Sequence, residues 1–322
     1  NGVFSGSALE IDGKMNLYYT AVRYLKENAE NINTIVDGLC EQSQAMISSD
    51  DGITFDNFNG KKQIIPPVTD LEIGHPYECR DPKVWRENGR YFMCIASSYK
   101  KEEGVLLIYT SDDGENWTYL NRLQDKQFGT VLECPDVFCI DGQHILIASP
   151  IGVLNGTDYP GNQSTMQKLS FDAEDGGMAL ESDAQFLDYG MDLYAPQSCI
   201  DEAGRRCVIA WVRMPIPQSP DDNEAADGRP WSGMMSLPRV VTLRGGEIYT
   251  SVHPNVREYF AENSCEESTE KYTRWTKYGR SRTVLTLREG QSVELAGVMI
   301  ELNGGCVCTD RTKRVPQGVD VH

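Results

Sequence analysis

Apolar residues run along this chain in bursts of strand length separated by Gly, Asn and Asp, and stretches with a helical period are scarce. Four segments share one plan of strand, glycine turn and strand: residues 4–21 around Gly13, 81–97 around Gly89, 136–150 around Gly142 and 194–212 around Gly204. Such repetition predicts all-β architecture built from four-stranded blades joined by loops of variable length. A second echo supports it. Ser48-Ser-Asp50-Asp-Gly52-Ile-Thr54-Phe55 and Thr110-Ser-Asp112-Asp-Gly114-Glu-Asn116-Trp117 both read S/T-x-D-x-G-x-x-aromatic. Here Asp50 and Asp112 are expected to cap tight turns, the glycines to supply positive φ, and the aromatics to pack back between strands.

The later part of the chain changes character. Residues 214–231, rich in Pro, Asp and Asn, read as a long loop over one face, and a hairpin through Gly245-Gly246 follows. Residues 257–275 are charged and irregular, as in a linker carrying a short helix. From Ser281, alternation in Thr283-Val-Leu-Thr-Leu and Val293-Glu-Leu predicts a second β domain, cut short of the about 100 residues of a sandwich. The expected division is 1–256 for the bladed domain, 257–280 for a linker and 281–322 for a partial sandwich.

Charge narrows the partners. With 30 basic against 48 acidic residues, the formal charge is −18. That balance argues against nucleic acid or an anionic membrane, both of which call for Lys and Arg, and suits a neutral small molecule such as a sugar. No apolar run approaches the roughly 20 residues that span a bilayer. The 10 cysteines show no framework spacing; Cys94, Cys139 and Cys207 sit singly in apolar runs as small buried hydrophobes, and Cys306-Val-Cys308 is too tight for a zinc knuckle. A reducing, cytoplasmic compartment is the expectation. His75, His144 and His253 lack metal-ligand spacing and read as structural, so neither a metal nor an organic cofactor is expected.

Two acidic motifs open successive copies of the repeat. Arg80-Asp81-Pro82 leads through Asn88-Gly89-Arg90 into Tyr-Phe-Met-Cys-Ile-Ala-Ser, and Glu133-Cys134-Pro135-Asp136 leads through Asp141-Gly142-Gln143 into His-Ile-Leu-Ile-Ala-Ser-Pro. Carboxylates at one edge of neighbouring repeats predict side chains converging on a shared pocket. Singly, each motif has a plainer reading: Arg80-Asp81 as a local ion pair, Glu133 as a solvated turn residue, Trp231 and Tyr194 as packing residues. Glu78-Cys79 duplicates the Glu-Cys pair without the following Pro-Asp and reads as a decoy.

In concert the motifs say more. Phe4-Ser-Gly-Ser-Ala, Arg80-Asp-Pro, Glu133-Cys-Pro and Trp231-Ser-Gly with Ser236-Leu-Pro-Arg stand in the order found in glycoside hydrolase family 32, the invertases and fructan hydrolases, and Tyr194-Ala-Pro-Gln adds to the match. The resemblance covers roughly residues 1–255. It implies a five-bladed β-propeller, with the first blade largely missing from this chain, followed by the start of a C-terminal β-sandwich. It also implies release of terminal β-fructofuranosyl units from sucrose, sucrose 6-phosphate or fructans. Cleavage with retention uses a carboxylate nucleophile and a carboxylic acid about 5–5.5 Å apart. By resemblance, Glu133 is the general acid/base and Asp81 the transition-state stabiliser that accepts bonds from two fructose hydroxyls. Arg80 keeps Asp81 ionised, Phe4 and Ser5 shape the fructose pocket, Trp231 walls its other side, and Cys134 and Tyr194 lie at the substrate.

One departure stands out. The family's nucleophile is an aspartate in a Trp-x-Asn-Asp-Pro motif that precedes the Phe-Ser-Gly-Ser segment, and this chain begins at Asn1. The nucleophile is therefore expected upstream, in an enzyme truncated here at both ends. The alternative is a non-catalytic fructoside-binding propeller that keeps Arg80, Asp81 and Trp231. A sialidase-type propeller, suggested by the Ser-x-Asp-x-Gly turns, would need three arginines and a Tyr–Glu pair, a set that does not assemble in this sequence.

Overall fold

The computed structural model describes residues 2–32, 34–153, 162–188, 193–213 and 234–262, with short strand segments beyond them as far as Val321. The described residues are all-β apart from one helix and one 3-10 turn, and the chain divides into two compact units: Asn1–Val153 with Gln167–Ala184, and Leu154–Met166 with Gln185–His322.

Four sheets follow one another along the sequence, each of the kind predicted. The first runs β1 (Gly2–Ile11), β2 (Lys14–Tyr24), β3 (Cys40–Ser49) and β4 (Lys62–Ile65). The second runs β5 (Cys79–Glu87), β6 (Arg90–Tyr99), β7 (Glu103–Ser111) and β8 (Thr118–Gln124). The third runs β9 (Leu132–Ile140), β10 (Gln143–Pro150), β11 (Thr165–Phe171) and β12 (Met178–Leu180), and β13 (Gln185–Phe186) pairs with the start of β11. In the second unit, β14 (Leu193–Ile200), β15 (Arg206–Val212), β17 (Arg239–Arg244) and β18 (Glu247–Val252) form the fourth, with β16 (Met234–Met235) also on β15.

The glycine turns sit where the pattern put them. Asp12-Gly13, Asn88-Gly89 and Asp141-Gly142 are two-residue hairpin loops with positive φ at both positions, from 48° to 82°. Loops of this type match the right-handed twist of the strands they join.

The middle sheet of the first unit is covered on both faces, which is why its strands read as unbroken apolar runs. Along β6 and β7, Met93, Ile95 and Leu107 face a core shared with Tyr18 and Met46, whereas Cys94, Leu106 and Ile108 face one shared with Leu132, Leu146 and Leu169. Alternate residues of a strand point to opposite faces, so a strand packed on both sides needs apolar residues at every position. Each fully buried side chain of this size contributes about 1.5–3 kcal/mol. The innermost strands β1, β5 and β9 are neighbours, and this brings the acidic motifs together.

The two Asp-Gly turns form, with one correction. The capping carboxylates are Asp51 and Asp113, not Asp50 and Asp112. Asp51 Oδ1 accepts from the N–H of Ile53 and Thr54, and Asp113 Oδ1 from those of Glu115 and Asn116. These bonds, with that from Thr54 and that from Asn116 foremost, hold both carboxyls well below the usual range. Asp50 and Asp112 instead pair with Lys14 and Arg90 at the surface. Trp117 packs edge-on against Tyr18, and both rings donate to the carbonyl of Gly114.

The helix expected in the linker begins slightly earlier, as α1 (Pro254–Glu262). Beyond it, Arg274–Thr276 pairs with Gly279–Ser281, Val293–Ala296, Met299–Leu302 and Gly305–Thr309 form a small sheet, and Val284–Leu285 lies parallel to Asp320–Val321. The loop expected at 214–231 lies outside the described residues. The seven cysteines from Cys40 to Cys207 are free thiols; Cys94 and Cys207 are buried as expected, but Cys139, near the hairpin end of β9, is exposed. Among the described residues, no helix is long and apolar enough to cross a membrane.

Candidate active site

The inner strands share a local device. In β5, Asp81 and Pro82 bulge between the paired residues Arg80 and Lys83, and in β9, Cys134 and Pro135 bulge between Glu133 and Asp136. In β14, Ala195 and Pro196 bulge between Tyr194 and Gln197. The residue before each proline has positive φ: 61° at Asp81, 49° at Cys134 and 51° at Ala195. Side chains other than glycine adopt this conformation at a cost of about 1–2 kcal/mol, and such outliers gather at functional sites. β1 has a simpler version in which Ser5 is the extra residue between Phe4 and Gly6. A Cβ on Gly6 would fall 1.8 Å from the carbonyl oxygen of Tyr18, so that position excludes every side chain.

The bulges cross-brace the acidic motifs. Asp81 Oδ2 accepts the N–H of Cys134 at 2.9 Å, so the backbone just after Glu133 is tied to the Asp81 carboxylate. In the other direction, Arg80 Nε and Nη2 both donate to Glu133 Oε1, at 3.1 and 2.9 Å. Arg80 Nη1 donates to Glu78 Oε2 at 2.5 Å. The arginine side chain is 11% exposed, against 23% for Glu133 and 34% for Glu78, so a buried cation reaches toward two partly open carboxylates. Burial pushes the Asp81 carboxyl above its usual range, opposed by the Cys134 N–H and the Arg80 charge. Burial also pushes the Cys134 thiol up, and the Asp81 and Glu133 charges add to the effect, so Cys134 stays a neutral thiol.

A buried polar network sets the position of β5. The Asp81 N–H donates to Thr20 Oγ1 at 2.9 Å, and Thr20 donates in turn to Gln44 Oε1 at 3.0 Å. Gln44 Nε2 donates to the Cys79 carbonyl, and the Cys79 N–H donates to Gln42 Oε1. Ser7 Oγ stitches β1 to β5 by donating to the Pro82 carbonyl and accepting the Val84 N–H. Lys83 and Asp136 occupy the same place after their bulges and form a buried ion pair at 2.8 Å.

Of the residues singled out in the sequence, Arg80, Asp81, Glu133 and Cys134 come together. Phe4 and Ser5 lie exposed on β1, and Phe4 pairs with Thr20, the residue that receives the Asp81 N–H. Tyr194 is buried on β14 in the second unit, with the Arg213 guanidinium 4.7 Å from its ring centre. Trp231 lies outside the described residues. Glu78, of the second Glu-Cys pair, precedes β5 and accepts from Arg80 Nη1. Thr20, Gln42 and Gln44 carried no local signal because their roles depend on strand register.

One grouping resembles a metal site. Asp201, Cys207 and His253 bring potential ligand atoms within 4.8 Å of one another. Arg205 already serves there as the cation: its Nε donates to Asp201 Oδ2 at 2.6 Å and its Nη2 lies 3.2 Å from His253 Nε2. A metal ion at that point would meet the guanidinium charge, so this donor set does not fit one.

Blade-type sheets whose inner strands present an aspartate and an arginine-held glutamate are the framework of a propeller glycoside hydrolase. The family model for the N-terminal domain of the glycosyl hydrolases family 32 matches residues 1–285. The chain belongs to glycosyl hydrolase family 32. It is 32% identical over 282 residues to a sucrose-6-phosphate hydrolase of Vibrio alginolyticus, across 84% of this chain and 53% of that protein. It is 33% identical over 255 residues to a raffinose invertase of Escherichia coli, across 77% and 49%. The chain thus spans about half the length of the curated relatives it matches. A β-fructofuranosidase structure from Bombyx mori is similar in fold, with a TM-score of 0.69 at 22% identity over 96% of this chain and 75% of that one.

Proposed function

We propose that this chain carries the acid/base and stabilising part of a retaining β-fructofuranosidase site, acting on sucrose, sucrose 6-phosphate or a fructan. The observation that carries the reading is the cross-brace: Arg80 fixes Glu133 from β5 while the Asp81 carboxylate takes the N–H that follows Glu133. In the first step a nucleophilic carboxylate attacks the anomeric carbon and Glu133 gives a proton to the departing oxygen; in the second, Glu133 takes a proton from the attacking water. Both Arg80 bonds fall on Oε1 and fix the orientation of the carboxyl group. Asp81, ionised, accepts from adjacent fructose hydroxyls, and those bonds strengthen as positive charge develops on the ring. Phe4, Ser5, Trp231, Tyr194 and Cys134 are assigned to the walls of the fructose pocket. The nucleophile is an aspartate N-terminal to Phe4 in the full polypeptide.

The same reading gives a five-bladed propeller over residues 1–256 and preceding chain, a linker at 257–280, and a C-terminal sandwich that begins at 281. It places the enzyme in the cytoplasm with a carbohydrate as its partner and no cofactor, since two carboxylates and water suffice for the chemistry. Similarity to a sucrose-6-phosphate hydrolase and a raffinose invertase supports a sucrose-derived substrate. The test is fructose release from sucrose, sucrose 6-phosphate and inulin by the complete gene product. Glu133→Gln should lower kcat by about 10²–10⁴-fold while the fold is retained. Fructoside binding without turnover in the unaltered protein, or wild-type turnover in Glu133→Gln, would overturn the reading.

A further inference from the structure

We propose that Glu78 is a positioning residue for the acid/base: by engaging Arg80 Nη1 it orients the guanidinium so that Nε and Nη2 converge on one oxygen of Glu133. The inference rests on the reading of Glu133 as acid/base. A guanidinium is a planar fork, and fixing one edge of it fixes the direction of the opposite donors. Glu78 holds the Nη1 edge at 2.5 Å, and Nε and Nη2 meet Glu133 Oε1 at 3.1 and 2.9 Å.

The anchor is itself anchored. The Glu78 N–H donates to the His75 carbonyl, and the Glu78 carbonyl accepts from Ser97 Oγ at 2.6 Å. Ser97 Oγ also accepts the His75 N–H, and the N–H and carbonyl of the next residue, Cys79, are held by Gln42 and Gln44. The carboxylate therefore projects from backbone tied to both β3 and β6.

The test uses the complete protein with Glu78→Gln, Glu78→Asp and Glu133→Gln, assayed on sucrose and on β-D-fructofuranosyl fluoride. Fluoride departs with far less help from an acid than a sugar hydroxyl does. Glu78→Gln is expected to lose about tenfold or more in kcat on sucrose, with KM within about twofold, and less than about threefold on the fluoride. Glu78→Asp, which keeps the charge, should recover part of the sucrose rate, and it carries the same comparison if the glutamine variant does not fold. Equal loss on both substrates marks a general structural role and overturns the proposal, as does no loss on either. Glu133→Gln should show the same selective loss more strongly. If it loses no sucrose activity, the acid/base reading falls independently of Glu78.

Discussion

Thr20 is the residue through which a substitution away from the substrate should reach Asp81. Its hydroxyl accepts the Asp81 N–H at 2.9 Å and donates to Gln44 Oε1 at 3.0 Å, and Thr20 and Gln44 are fully buried. Thr20→Val keeps the shape and deletes both bonds. Gln44 cannot compensate by flipping its amide, because Nε2 is already committed to the Cys79 carbonyl. Two buried polar groups are then stranded at about 1–3 kcal/mol each, so the expected loss is about 2–6 kcal/mol. Thr20→Ser keeps the hydroxyl and loses one methyl group, about 1 kcal/mol. The order of the two variants is diagnostic, since a site that mattered through packing alone would tolerate valine better than serine. Three readouts follow it: kcat, the urea midpoint, and hydrogen exchange of a peptide spanning residues 79–84, which reports locally even where unfolding of a protein this size is not two-state. Thr20→Val should lower the midpoint, speed exchange at Asp81 and reduce kcat, with Thr20→Ser close to wild type in all three. A valine variant as stable as the serine variant, with unchanged exchange, would refute the assigned role of the hydroxyl.

Asp81→Asn should abolish fructose release yet stabilise the fold near pH 7. Burial raises the folded-state value of this carboxyl, so its contribution to stability is full below the unfolded carboxylate value and is lost as pH rises through the folded one; the stability advantage of asparagine in urea unfolding should therefore shrink as pH falls toward about 4. Lys83→Met and Asp136→Leu should each cost about 3–5 kcal/mol, because each removes one member of an almost fully buried ion pair. The two combined should cost less than either, and simple additivity in that cycle would show that the pair is uncoupled.

The sequence made the blades legible because their signals are local. A turn such as Asn88-Gly89 announces itself, and a run such as Tyr91–Ala96 has strand length and no polar break. The acidic motifs were legible because Asp81 and Glu133 each precede or flank a proline in a repeated setting. What escaped depends on pairing between distant strands. Thr20 and Gln44 look like ordinary strand residues until register sets them beside Asp81 and Cys79. Glu78 lacks the Pro-Asp that marks Glu133, and only the fold shows that it accepts from Arg80 two residues on. The aspartates of the Ser-x-Asp-Asp-Gly turns were displaced by one, since adjacent aspartates give a pattern two equivalent fits. The exposure of Cys139 is illegible for a related reason: where a strand is apolar on both faces, alternation no longer marks the point at which burial ends.

The bulges explain how a repeated backbone yields unlike chemistry. Register makes Arg80 equivalent to Glu133 and Asp81 equivalent to Cys134, so the two carboxylates occupy different positions of the same device. That offset has a consequence. If both carboxylates stood just before the bulge, like charges on neighbouring strands would face each other with no donor between them. With Glu133 just before the bulge of β9 and Asp81 within the bulge of β5, the position before the β5 bulge is left for Arg80, which faces Glu133, and Cys134 in the β9 bulge offers its N–H to Asp81. The strained backbone at Asp81 and Cys134 is thus the means by which one carboxylate receives a guanidinium and the other a peptide N–H. Beyond the bulge the same logic recurs at Lys83 and Asp136, where equivalent positions on adjacent strands carry opposite charges and close the contact beneath the site.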